Sequence, residues 1–199
     1  NNGYIALDKS YTEGGEITAM TAEAWINTSV TGQNSDANWA IIDFDRNEYF
    51  NFFIRGNDGK VGFSTIAQGE AQSAVDDMVG NAVVNDGEWH HVAVVFDGSN
   101  KRIYVDGALD ATHNNAHSNP LGRNGNNNTV RYGYIGDGSE SESFNGTNEV
   151  DPSMIRNNKY YTGKLDEVRL WHTARSQNEI NDNRFVRLNG CEEGLEWNL

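Results

Sequence analysis

The sequence predicts an all-β protein, two antiparallel sheets packed face to face, with one short helix near the C-terminus. Three observations carry that reading. Residues 89–96 alternate so that His91, Ala93 and Val95 share one face while His90, Val92, Val94 and Phe96 share the other. Both faces are largely apolar, and a strand apolar on both sides is covered on both. Asp86-Gly87, Asp97-Gly98 and Asp106-Gly107 bracket this strand and its successor with tight-turn chemistry. Finally, Ser176-Gln177-Asn178-Glu179 is a capping box that opens a helix and carries Ile180 inward.

The other elements follow in chain order. Tyr4–Leu7 is a first strand, and 17–28 a second, with Ala22, Ala24 and Ile26 opposite Glu23 and Trp25. A polar Asn/Gly/Asp loop spans 30–38. Trp39–Phe44 and Tyr49–Arg55 are strands around the polar insert Asp45-Arg46-Asn47-Glu48. Asn57-Asp58-Gly59-Lys60 turns the chain into the strand Val61–Ser64. The acidic stretch 70–85 has room for a short irregular edge strand. After the pair 89–96 and 102–105, residues 112–129 lose all periodicity and are expected to form a long surface loop. Tyr132–Gly136 returns to strand, 137–161 is a second long loop crowded with acids, and Gly163–Trp171 is another clear strand. The segment 193–199 begins one more.

Composition bounds the function. With 199 residues, 21 Gly and 2 Pro, the chain suits one turn-rich globular domain covering 1–199. A formal net charge of −14 argues against nucleic acid, because no basic stripe is present to release phosphate counterions, and against anionic membranes. It suits a protein that holds divalent cations, or one whose acids only keep its surface solvated. Cys191 is the single cysteine, so no intrachain disulfide forms, and an extracellular chain would rely on core packing and bound metal. No apolar run has the ~18 residues of a membrane-spanning helix. Opening and closing in strand, the chain is expected to be a module excised from a longer polypeptide.

Glu88-Trp89-His90-His91-Val92, followed by Ile103-Tyr104-Val105-Asp106-Gly107, resembles the laminin G-like and pentraxin-like jelly rolls of the concanavalin A-like superfamily. Thr21-Ala22-Glu23-Ala24-Trp25-Ile26 and Gly163–Trp171 with the helix behind it carry the same resemblance. It implies a jelly-roll sandwich that binds ligands, often through calcium, and seldom catalyses. Acidic, cysteine-poor, Asn/Gly-rich modules of this kind further resemble the ligand-binding domains of large calcium-dependent bacterial adhesins of the RTX type. That resemblance implies an extracellular, cell-surface module recognising a peptide or protein partner. A calcium-dependent lectin for glycans and a structural spacer stiffened by calcium stay open as alternatives.

The sharpest constellation is the loop at 135–146. Asp137, Glu140, Glu142 and Asn145 place several oxygen donors on a Gly-rich segment, and calcium takes about six to eight such oxygens. The pentraxins carry an acidic calcium loop followed by Ser-aromatic-Gly-Gly, and Glu140, Glu142 and Ser143-Phe144-Asn145-Gly146 fall onto that pattern. The other half of the pentraxin site is Asp-Asn-Glu on an earlier hairpin. Here Arg46-Asn47-Glu48 stands in its place: Asn47 matches, Arg46 replaces the acid, and Asp45 is one residue away to compensate. The expected metal ligands are therefore Asp45, Asn47, Asp137, Glu140 and Glu142, with Asn145 joining them in ligand binding and the two loops converging from one end. Gly122–Thr129 is expected at the rim, and Tyr160, Tyr161 and Arg156 are candidates for stacking and hydrogen bonding. Asp76 and Asp77 are among further loop acids open to a second ion.

Other chemistries fare worse. His113 and His117 have zinc-like i, i+4 spacing, but the Asn, Ser and Pro around them argue against a helix. His90 and His91 point to opposite faces and cannot share a metal. Cys191 has no catalytic neighbours. Retaining glucanases on this fold need Glu-x-Asp-x-x-Glu on one strand, and Glu149-Val150-Asp151-Pro152-Ser153-Met154 lacks the second Glu and contains a strand-breaking Pro. No enzyme is expected.

Overall fold

The structure is a computed structural model that describes residues 3–12, 17–31, 38–44, 49–70, 76–122, 130–138 and 160–199. Two six-stranded antiparallel sheets form a sandwich. The first contains, in spatial order, β1 (Ile5–Thr12), β10 (Val130–Ile135), β3 (Asn38–Phe44), β4 (Phe50–Arg55), β5 (Lys60–Thr65) and β6 (Asp76–Val83). The second contains β12 (Leu195–Asn198), β11 (Lys164–Trp171), β2 (Met20–Asn27), β7 (Trp89–Phe96), β8 (Lys101–Val105) and β9 (Ala108–His113). One helix, α1 (Gln177–Asn183), lies among the described residues.

The alternation in β2 and β7 assigns the faces. Ala22, Ala24 and Ile26 join Val92, Val94, Phe96 and Ile103 in the interior, against Phe44, Phe50, Phe52 and Phe63 from the opposite sheet. The other face of β7 is covered as its apolar pattern demands, since Ala93 and Val95 pack with Tyr104 under Ile180 of α1. Ser176 caps that helix as expected: its hydroxyl accepts from the Glu179 N–H, while the Glu179 carboxylate accepts from the Ser176 N–H. Gly133 pairs with Phe44 across the β3–β10 ladder, and a Cβ there would fall inside the Phe44 ring.

Two elements differ from expectation. The acidic stretch 70–85 yields the irregular edge strand expected, since the β5–β6 register shifts between Lys60 and Gly62, but β6 runs over eight residues rather than being short. β9 was not expected at all. Its side chains are half-buried or exposed throughout, so no alternation betrays it. Main-chain pairing with β8 holds it at the sheet edge.

Candidate ligand-binding site

β10 ends at Ile135 and is followed by Gly136, whose N–H donates to the Ile41 carbonyl at 3.1 Å and whose carbonyl accepts from the Tyr161 N–H at 2.9 Å. Its φ of +80° and its approach to the Gly3 carbonyl leave little room for a side chain. Asp137 follows, only 1% exposed, with its Oδ1 accepting from the Gly138 N–H at 2.8 Å. A carboxylate this buried is costly unless it is bonded or neutralised. It stands at the head of the acidic loop.

Asp137 is the one expected ligand among the described residues; Asp45, Asn47, Glu140, Glu142 and Asn145 lie outside them, as do Arg156 and 123–129. The register nevertheless locates the strand ends from which the two loops depart. Phe44, immediately before Asp45, pairs with Gly133, whereas Ile135, shortly before Asp137, pairs with Ile42. The loops therefore leave opposite ends of the β3–β10 ladder, not one end.

A cavity of about 400 Å³ opens beside Gly136, the residue before Asp137, between the β1–β10 edge of the first sheet and the β11–β12 edge of the second. Tyr4, Ile135, Gly136, Tyr161, Asp166 and Leu199 contribute to its lining. The Tyr4 ring meets Tyr134 edge-on at 5.6 Å. Burial raises the Tyr161 phenol well above its ordinary value, so it remains a neutral hydrogen-bonding group at physiological pH. Asp166 sits on a bulge in the β11–β2 pairing and borders a second cavity of about 340 Å³ on the outer face of the second sheet. The setting can hold an apolar or aromatic group beside a carboxylate.

Other polar residues have structural partners. Asp76 engages Lys101 and His113, and Asp77 accepts from the Ser64 hydroxyl. Lys101 is fully buried, its ammonium donating to the Phe63 and Asp76 carbonyls at 2.7 Å, and burial lowers its pKa to about 8 despite Asp76. His117 is buried between Thr65, at 2.8 Å, and Glu70. His113 and His117 thus serve different partners, and no cluster of three or more metal-ligating side chains occurs among the described residues.

The sequence reading also missed a buried ionic network on the outer face of the second sheet. Glu23 accepts from Arg175 and from the Trp171 indole at 3.0 Å, with Arg169 at 3.5 Å. The Arg175 guanidinium also lies 4.0 Å over the Trp171 ring. The available signal was a glutamate set into the otherwise apolar run Ala22-Glu23-Ala24-Trp25.

A family model described as the concanavalin A-like lectin/glucanases superfamily matches residues 1–181. The chain belongs to this superfamily. Its fold is similar to a protein from Bacteroides ovatus ATCC 8483 provisionally named as carbohydrate-binding, with 17% identity and a TM-score of 0.64, over 98% of this chain and 50% of that one. The chain thus spans half the length of that protein. It is similar to the heptameric SAP-like pentraxin of Limulus polyphemus, with 12% identity and a TM-score of 0.58 over 90% of this chain and 74% of the other. It is also similar to the CBM40 of the Ruminococcus gnavus IT-sialidase, with 14% identity and a TM-score of 0.58 over 92% and 98% of the two chains. No curated protein matches the chain.

Proposed function

We propose that this superfamily member is a non-catalytic, calcium-dependent ligand-binding module of a cell-surface adhesin, recognising a peptide or protein partner. The observation that carries the reading is Asp137, a buried carboxylate heading an acidic loop beside an aromatic-lined cavity. Carboxylate and amide oxygens are the hard donors calcium prefers, and flexible loops adapt to its coordination. Asp137, Glu140 and Glu142 would hold the ion, with Asp45 and Asn47 reaching it from the other end of the ladder. The eight steps along the chain from Asp137 to Asn145 span up to ~27 Å when extended, enough to bridge the length of β10. Bound calcium supplies a positive charge with open coordination positions for a ligand carboxylate or hydroxyl pair. Asn145 would add a hydrogen bond to that ligand.

The glycan-binding alternative is favoured by the names of two neighbours, a carbohydrate-binding protein and a sialidase CBM. Free sugars competing against short peptides at the calcium-loaded protein would separate the two readings. Catalysis has no support from the carboxylate spacing in the sequence, and the extracellular setting rests on the resemblance to surface adhesins.

Thermal melts with calcium and with chelator test the central claim. Calcium at about 100 times its Kd stabilises the native state by about 2.7 kcal/mol, or roughly 5–10 °C for a domain of this size. Glu140→Ala with Glu142→Ala should remove most of that rise. No calcium effect in the parent protein would sink the proposal.

A further inference from the structure

The second cavity has a composition that its surroundings do not explain. It opens on the outer face of the second sheet just beyond α1. Trp89 and Phe185 form its walls with 42% and 74% of their surface exposed, although large aromatics left open to water are costly and tend to mark contact sites. Trp25 forms the floor, its ring 5.3 Å from Phe185 and its indole N–H spent on the Arg184 carbonyl at 2.7 Å. An apolar platform is therefore already in place.

The rim is charged on both sides. Arg184 and Arg187 have no carboxylate partner among the described residues; the Arg184 guanidinium instead rests 4.7 Å over the Phe185 ring. The Nε atoms of Arg184 and Arg169 are buried and make no hydrogen bond. Opposite stand Asp166 and Glu167, presented by the bulge in β11 where Glu167 adopts the left-handed φ of +47°. Glu167 pairs with Arg169 at 2.8 Å, while Asp166 is exposed. The lining carries three arginines against two acids, in a chain whose net charge is −14.

Aromatic walls, arginine donors and carboxylate acceptors together match one ligand chemistry. A pyranose ring presents an apolar C–H face to an aromatic side chain and hydroxyls to acceptors and donors at its edge. A carboxylate on that ring would satisfy the unpaired arginines, which favour planar, bidentate anions. An acidic peptide would offer backbone N–H donors to Asp166 and Glu167 but no rigid C–H ring face to Trp89 and Phe185. The volume, near the small end of the usual ~300–1,000 Å³ range for ligand pockets, suits a saccharide of few rings. We infer that this cavity is a subsite for an acidic saccharide, stacked against Trp89 and Phe185 with its carboxylate toward Arg184 and Arg187. It needs no metal and does not depend on the calcium reading.

Trigalacturonate and its fully methyl-esterified form share a backbone and differ in charge, so the pair isolates the carboxylate. Each is titrated into the whole chain in excess chelator, by calorimetry and tryptophan fluorescence. The free acid should bind at least about tenfold more tightly than the ester, as expected for a charge-assisted bond, and should weaken with salt. Trp89→Ala and Arg187→Gln should each lower affinity about tenfold or more. Arg187→Gln, at an exposed position, should leave the sugar-free melting temperature unchanged, and Trp89→Ala is compared at a temperature where circular dichroism shows it folded. Equal binding of acid and ester, binding of neither, preference for a poly-glutamate peptide, or wild-type affinity in both variants would each overturn the assignment. Chelator keeps the outcome separate from the calcium test.

Discussion

Replacing His91 with phenylalanine should remove an acid-sensitive component of this protein's stability. The His91 side chain in β7 is 1% exposed, touches Trp25 edge-on at 5.5 Å, and has no hydrogen bond at either ring nitrogen. Glu23 stands 3.5 Å away, a contact that by itself would favour the imidazolium. It does not prevail, because Glu23 is already engaged by Arg175 and Arg169. Burial foremost, then repulsion from Arg169 and Arg184, drive the His91 pKa from 6.5 down to about 3. The unfolded chain takes up a proton near pH 6.5 that the folded chain refuses until about pH 3. Stability from this site is thus complete above about pH 6.5 and falls as pH drops through the window toward 3. At pH 5 the loss is about 2 kcal/mol, from roughly 1.36 kcal/mol for each pH unit below 6.5. Phenylalanine keeps the ring against Trp25 and has no nitrogens to leave unpaired, so its cost at pH 7.5 should be small. Urea unfolding of parent and variant at pH 7.5 and 5.0, followed by far-UV circular dichroism, reads the difference. His90 titrates in both proteins and cancels: burial opposes its proton, but bonds to Asp106 and Asp86 raise its pKa. Parallel loss of stability in the two proteins, or an NMR titration of His91 near its ordinary value, would refute the reasoning.

The remaining predictions concern the outer face of the same sheet. Glu23→Ala strands two buried guanidiniums and should cost about 3–5 kcal/mol in urea unfolding, while Glu23→Gln, which keeps an acceptor for Trp171 and Arg175, should cost less. A cost below about 1 kcal/mol for the alanine variant would show that water replaces the carboxylate easily. Ile180→Ala empties the contact between α1 and Ala93, Val95 and Tyr104, and should cost about 2–5 kcal/mol by the same assay.

What the sequence determined by itself was the architecture of the central strands and the helix start. Alternation in 20–27 and 89–96 assigned both faces of β2 and β7, because a side chain's side of a strand follows from its position alone. Ser176 and Glu179 declared the helix because capping is satisfied within four residues. β9 was illegible for the converse reason: an exposed edge strand is held by backbone bonds that any side chains permit. Only the tertiary structure could gather Glu23, Arg169 and Arg175, or Trp25, Trp89, Phe185 and Arg187, since distant segments meet there through the fold. The same holds for the ladder register, which sends the chain out of β3 and β10 at opposite ends. Residue types in the sequence nominated the acidic loop after β10 as a candidate for calcium. Where its strands end is a property of pairing between segments some ninety residues apart, and no local pattern encodes it.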